Sequence, residues 1–521
     1  MVFDQRIPHC PASAGIIPSP LAGENQGTGG KCSHCPLSPG RETGHRRHSS
    51  ITVPSPLAGE GQGEGEGRGS KRGEKGIKQL TFEELTPKVH IRSFISKSWA
   101  NSWPMTLIMF FEFLIGMTDI YIAGRVGKEV QATYGFVVQF YFIFIIIANA
   151  LSMGTVSVVS RLFTAGDKAA LAKTVWSVII TTATVGAVFS VAGIFATHWF
   201  MEFINIPVGL KQYGTQLGKI YACGLVFHYL LVSTNGILRS CKMIRSSLLT
   251  MAIVCLMNIG LNFIIVFHTR LGFWGIALST VISVFAGSIV NLWHCRAFMN
   301  KARAFSFSVV RNVISIGWPG GATQAMWQVH SMVMFLILSS LPEKSIEILA
   351  ALAAGIRIES AIFLPAIAFN MANAVIVGNL IGEGKKKDAY RGGLVTMFMG
   401  TGIVLLLTVI VIASARWIAP LLSNNETVVA ETIRYLYISM LSEPFMALWV
   451  ILGGGLSGAG DTRSFMYNVI IGIWLVRIPL SYVCVVLLGL SAASVWWTMN
   501  LSQFIMAAFM ARRYLQKKWL A

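Results

Sequence analysis

Two acids stand inside an apolar stretch long enough to cross a membrane. Trp103–Gly124 reads WPMTLIMFFEFLIGMTDIYIAG and carries Glu112 and Asp119 seven residues apart. Seven residues is close to two helical turns, so on a helix both side chains leave one face, about 10 Å apart along the axis. A carboxylate near the bilayer centre costs at least about 2.5–3.5 kcal/mol on insertion scales and must therefore face protein or water rather than lipid. The chemistry open to such a group is to gain and lose a proton, or to hold a cation. Glu112, the deeper of the two, reads equally as a second proton site or as a buried, neutral donor between helices.

The elements that must position these acids are membrane helices. The chain has 521 residues, 54% of them hydrophobic and 12% charged, and a mean hydropathy of +0.61, which excludes an ordinary soluble domain. Apolar runs recur from Trp103 to Met510, each near the twenty or so residues a helix needs to cross about 30 Å of hydrocarbon. The two-residue alternation of a membrane barrel is missing. The expectation is an all-α polytopic membrane protein with twelve transmembrane helices in two pseudo-symmetric six-helix lobes.

The net charge of +19 does not point to nucleic acid, because the basic residues are scattered through short loops. Their bias between alternate loops puts both termini in the cytoplasm of a cell (inner) membrane protein. Of eight cysteines, Cys223, Cys241, Cys255, Cys295 and Cys484 lie in or beside apolar runs, as small hydrophobes do, and no disulfide framework emerges. Residues 1–77 form a Gly-, Pro- and Ser-rich extension, expected to be disordered. In it SPLAGENQG (Ser19–Gly27) recurs as SPLAGEGQG (Ser55–Gly63). Cys32 and Cys35 there lack the second pair that a four-ligand zinc site needs, so no metal is assigned. Residues 78–101 read as a cytosolic lead-in helix, 102–296 as the N-lobe, 297–311 as a cytosolic linker, 312–511 as the C-lobe and 512–521 as a basic cytosolic tail.

The halves resemble each other at an offset of 215 to 218 residues. Ser160–Ala170 (SRLFTAGDKAA) answers Gly378–Asp388 (GNLIGEGKKKD), Arg245-Ser246 answers Arg463-Ser464, Gly272 answers Gly489, and Pro104 and Pro319 open the first span of each half. An even number of spans per half makes such repeats parallel, about an axis normal to the membrane.

In this order, MTDIYIAG (Met117–Gly124), the two matching loops, IRIESAIFLP (Ile356–Pro365), GGGLSGAGDTR (Gly453–Arg463) and VRIPL (Val476–Leu480) resemble the multidrug and toxin extrusion (MATE) family of secondary antiporters, over about residues 100–515. The resemblance implies a V-shaped pair of lobes that alternates its access and exports small amphipathic or cationic compounds against protons or sodium, with no cofactor and a single chain as the working unit. It places the family's first-span aspartate on Asp119, an Asn/Asp pair of one branch on Asn258 and Asn262, and that branch's span-six Thr on Thr280. A Glu carried by another branch in span seven is replaced here by the neighbourhood of Gln324, Gln328 and His330. Fewer anionic ligands then remain for a hard cation, which favours protons over sodium.

In the second half Arg357, Glu359 and Arg477, with His330 and Gln328, read as a polar network of structural kind. Glu443 beside Pro444 reads as a kink, and His228 and His330 as core histidines rather than proton relays. A lipid-linked saccharide flippase of a related branch is the alternative function. It would need a basic cavity for pyrophosphate, and Lys219 is nearly alone among cations in the first-half spans. An enzyme such as a prenyl transferase would need paired acidic magnesium motifs, and none is present.

Overall fold

The computed structural model describes residues 87–521 apart from 204–207, 300–303, 343, 424 and 521, together with the side chains from residue 91 onward except those at 128 and 208–210. The expected disordered extension 1–77 and the Cys32/Cys35 pair lie outside the described residues. Among those described, the chain is all helix and has no strand. Helices suit lipid because every backbone group is satisfied within the segment.

The N-lobe consists of α1 (Pro87–Val126), α2 (Lys128–Ala165), α3 (Lys168–Phe203), α4 (Val208–Ser240), α5 (Ile244–His268) and α6 (Trp274–Met299). The C-lobe follows with α7 (Phe307–Ser339), α8 (Ser345–Gly382) and α9 (Lys386–Leu422). Its fourth span is two helices, α10 (Glu426–Ser439) and α11 (Glu443–Gly458), joined by a 3-10 turn at Met440–Ser442. Its fifth is α12 (Thr462–Val469) and α13 (Ile478–Tyr482) with π-helical turns at Ile470–Arg477 and Val483–Leu487, and its sixth is α14 (Ala492–Leu515). Ten of these stretches are long and apolar enough to cross a membrane. The more polar α7 and α14, of 33 and 24 residues, complete twelve.

Three boundaries differ from the sequence reading. The lead-in expected over 78–101 is no separate helix, since α1 runs without a break from Pro87 through Pro104. Residues 297–311 are partly helical, with α6 reaching Met299 and α7 starting at Phe307. The basic tail folds back: Trp519 is buried, donates to Tyr514 O at 2.9 Å and packs on the Tyr514 ring. The kink at Glu443-Pro444 is present as the α10–α11 break, with Pro444 in the first turn of α11, where its missing N–H costs nothing.

The repeat is visible in backbone angles. Left-handed residues close the matching loops: Gly166 (φ 80°) and Gly384 (φ 74°), Lys242 (φ 61°) and Gly460 (φ 93°), Gly272 (φ 53°) and Gly489 (φ 62°). After α4 and α11 the chain turns by the same bond, Met243 N–H to Leu238 O at 2.9 Å and Asp461 N–H to Leu456 O at 2.8 Å. That is the six-to-one bond of a Schellman ending.

The lobes meet most tightly through glycine. A Cβ on Gly154 of α2 would overlap the Val313 carbonyl of α7, and one on Gly317 would overlap the Ala150 carbonyl of α2, so the two helix backbones touch directly. Hydrogen bonds across the seam join Ser98 to Thr396 (2.7 Å), Ser157 Oγ to Gly458 O (3.2 Å) and Thr164 Oγ1 to Asn379 O (2.8 Å). Asn149 Nδ2 donating to Gln324 Oε1 (3.3 Å) lies farthest from the ends that carry the termini. The closed part of the seam is therefore the half of the bundle nearer those ends. There Lys242 of the N-lobe reaches Glu383 Oε1 of the C-lobe at 3.2 Å, while Lys385 holds Oε2 at 3.0 Å.

Gly317→Val is expected to hold the lobes apart at this end, since overpacking of this kind costs about 1–3 kcal/mol. Cross-linking of a cysteine pair introduced at Thr164 and Asn379 would then drop at least about fivefold, with the protein still inserted in the membrane. Partial burial works to raise the Glu383 carboxyl, but the bonds and charges of Lys385 and Lys242 outweigh it and hold it below the usual carboxylate range. A depressed acid contributes its link fully above the ordinary carboxylate pKa and loses it as pH falls through its own lower value. The same cross-link should thus be insensitive to pH from neutrality down to the ordinary carboxylate range and weaken only below it, and Glu383→Gln should remove that acid dependence.

Candidate functional site

Asp119 is 2% exposed, and its carboxylate is gathered from several N-lobe helices. Asn262 Nδ2 of α5 donates to Oδ1 at 2.7 Å. Thr280 Oγ1 of α6 and Tyr134 Oη of α2 donate to Oδ2 at 3.2 and 3.4 Å. Behind these, Asn258 Oδ1 accepts from Asn262 Nδ2 at 3.1 Å, and Asn258 Nδ2 donates to Thr280 Oγ1 at 3.0 Å. Tyr221 of α4 packs in the same buried cluster as Tyr134, its hydroxyl without a hydrogen-bond partner among the described residues.

Helical spacing explains the convergence. Asn258 and Asn262 are four residues apart and share one face of α5, while Asp119 continues a buried stripe of α1 that includes Met105, Ile108, Ile122 and Ala123. Every hydrogen-bond partner of the carboxylate is neutral. Thr280 has one hydroxyl proton and two acceptors in reach, Asp119 Oδ2 at 3.2 Å and Ile276 O at 3.1 Å. Asn262 Oδ1 is buried without a partner among the described residues. The cluster therefore has a spare acceptor and a rotatable hydroxyl beside an acid, which is what a group that is sometimes charged and sometimes neutral requires.

Sequence reasoning placed Asp119, Asn258, Asn262 and Thr280 together, and they are together. Tyr134 and Tyr221 were not legible, because the tyrosines stand on other helices at no telling spacing. Glu112 is not part of this cluster. It is exposed, and its charged neighbour is Arg239 of α4.

The C-lobe network is only partly as expected. Glu359 accepts from Tyr435 Oη at 2.7 Å, and the buried Arg477 donates through Nε to Ser502 Oγ at 2.7 Å. Arg477 also lies within electrostatic reach of Glu359, Glu443 and His330. Arg357 is exposed and stands apart, since two residues along a helix turn the side chain to another face. Gln328 is half-buried and makes no hydrogen bond to the cluster among the described residues. Tyr435 and Glu443 take the places assigned to them. The π-helical turn Ile470–Arg477, just ahead of Pro479, orients Arg477; a proline lacks its N–H and crowds the carbonyl four residues back, which favours such a turn. His330 is buried with both ring nitrogens unpartnered among the described residues. No group of three or more His, Cys, Asp or Glu suited to a metal occurs among them.

The MatE family profile matches residues 104–264 and 319–483, one match in each lobe. The chain belongs to the MatE family. Similar MatE relatives include the uncharacterized transporter YisQ of Bacillus subtilis, 20% identical over 85% of this chain and 99% of the relative. A probable multidrug resistance protein NorM of Bradyrhizobium diazoefficiens is 22% identical over 82% and 94%. Among solved structures, a MATE protein in the straight conformation superposes with a TM-score of 0.76 at 17% identity, covering 82% of this chain and 97% of that one. A MOP superfamily transporter from Pyrococcus furiosus does so with 0.75 at 17%, over the same shares. The MatE fold, and with it a membrane transporter rather than an enzyme, is the result.

Asn262→Ala removes the shortest bond to Asp119. A hydrogen bond to a charged group is worth about 1.5–3 kcal/mol, and the purified protein should melt at a correspondingly lower temperature. The loss should shrink when Asp119→Asn is made in the same chain, a coupling that a double-mutant cycle reads directly.

Proposed function

We propose that this MatE transporter is a secondary antiporter that exports small amphipathic compounds in exchange for protons, with Asp119 as the coupling carboxylate. The observation that carries the reading is the wholly neutral set of hydrogen-bond partners around a buried acid. In an apolar lobe a carboxylate with no cation in contact is relieved by taking up a proton.

The partners accommodate both forms. With Asp119 charged, Asn262, Thr280 and Tyr134 donate to it. With Asp119 protonated, its own O–H needs an acceptor, Thr280 can turn its proton to Ile276 O, and the spare Asn262 oxygen is available after an amide rotation. The two forms therefore favour different arrangements of α1, α5 and α6, and a difference in packing between protonation states is what couples a proton to movement of a lobe. Sodium is the weaker reading, because a hard cation wants several oxygen ligands and the carboxylate oxygens here are met mainly by donors.

Relatives named as multidrug resistance proteins support export of foreign amphipathic compounds as the cargo class. The positive charge of the loops facing the termini supports a cell-membrane protein with both ends in the cytoplasm. A lipid-linked saccharide would call for a basic cavity, whereas the ionisable side chains in the middle of α1 are acids.

Asp119→Asn should abolish substrate accumulation driven by an imposed pH gradient in inverted vesicles while leaving folding and insertion intact. A mutant that still accumulates substrate under the gradient would overturn the coupling assignment. Replacing the pH gradient with a sodium gradient should drive little or no transport in the unaltered protein.

A further inference from the structure

The turn between α11 and α12 reaches the seam on two sides. Gly458 O accepts from Ser157 Oγ of α2 at 3.2 Å. Two residues on, a Cβ on Gly460 would meet the Arg161 guanidinium of α2 at 3.4 Å. That guanidinium is tied back to its own helix, through Nε to Ser157 O at 2.8 Å and through Nη2 to Ser157 Oγ at 3.1 Å. On the other side, Thr462 Oγ1 donates to Ile316 O of α7 at 2.6 Å. The next residue of α7 is Gly317, where a Cβ would overlap the Ala150 carbonyl of α2. One short turn thus touches both of the helices that meet most tightly between the lobes.

Asp461 stands in the middle of that turn, and the end of the chain holds it. Arg513, in the last turn of α14, donates to Asp461 Oδ2 through Nη2 at 2.7 Å and through Nε at 3.0 Å, and its Nε also reaches Ser464 Oγ at 2.9 Å. Ser464 Oγ donates to the same carboxylate at 2.8 Å, and Ser464 N–H donates to Oδ1 at 3.3 Å, so Asp461 also caps α12. The folded tail backs Arg513: Tyr514 Oη donates to Tyr390 O of α9 at 3.3 Å, Trp519 Nε1 closes on Tyr514 O at 2.9 Å, and Lys517 Nζ lies 4.6 Å over the Tyr390 ring. The turn itself does not need this clamp to form. The N-lobe makes the same Schellman ending with Met243 in the place of Asp461, where no ion pair is possible. Met243 packs instead on an apolar cluster with Cys241 and Cys295. The clamp therefore belongs to one lobe only, on a turn that meets the other.

We infer that the C-terminal end of the chain is a brace that sets the closed position of the seam, with Arg513 and Asp461 as positioning residues that act through the Gly458–Thr462 backbone on Ser157 and Ile316. Charge-assisted bonds to one carboxylate fix the turn more narrowly than its backbone bonds alone. With the clamp released, the Gly458 carbonyl and the Thr462 hydroxyl lose their alignment with α2 and α7, and the lobes part more readily at the end that carries the termini. The inference rests on the transport reading above only in that this end of the seam opens during transport. Protonation of Asp119 has no part in it.

The test is the rate of disulfide cross-linking of two cysteine pairs introduced separately across the seam of the purified full chain in nanodiscs. One pair replaces Thr164 and Asn379 in the closed half, and the other replaces Asn149 and Gln324, farthest from the termini. Each is read as its own cross-linked peptide by mass spectrometry, so the native cysteines do not enter. Arg513→Gln should slow cross-linking at the first pair at least about threefold, the scale of a partly exposed ion pair, and leave the second pair unchanged or faster. Asp461→Asn, which keeps a capping side chain on α12, should do the same, and the double variant should lose no more than either alone. Arg513→Lys should keep most of the original rate. Slowing at both pairs would show a general loosening of the fold and overturn the inference. So would an unchanged rate at the first pair in Arg513→Gln and Asp461→Asn, or additive losses in the double variant. No ion gradient is applied, so failure here is distinct from failure of the coupling experiment on Asp119.

Discussion

A charge inside an apolar bundle has to be answered, and the two lobes answer it differently. In the N-lobe the buried acid Asp119 is met by an amide and two hydroxyls. In the C-lobe the acids Glu359 and Glu443 share the field of Arg477. Neutral donors leave the acid's charge in place, so a proton still has much to offer it; a guanidinium supplies standing compensation. Two lobes built on one repeat therefore differ in how a buried acid is compensated.

The seam between the lobes follows a related logic. Where Gly154 and Gly317 let backbones touch, contact comes from close approach of small residues, the usual means of helix association where hydrophobic driving force is missing. The hydrogen bonds added there are few and use hydroxyls and amides, and the ion pair of Lys242 with Glu383 is partly exposed and shared with Lys385. None of these is expensive to break. These links lie in the half of the bundle nearer the ends that carry the termini.

The sequence alone determined the class of fold and the position of the acid in the first span. Apolar runs of membrane length, their number, the paired glycine loops and a carboxylate at Asp119 are properties of local order along the chain, and local order is what helices in lipid obey. The spacing of Asn258 and Asn262 likewise fixed a shared face. Tertiary structure decided which helices meet. It brought Tyr134 to Asp119 and Tyr435 to Glu359, left Arg357 outside the network it was expected to join, and merged the lead-in with the first span. Those facts depend on how helices rotate and cross, which is settled by packing between residues far apart in sequence, and no periodicity within a single helix encodes it.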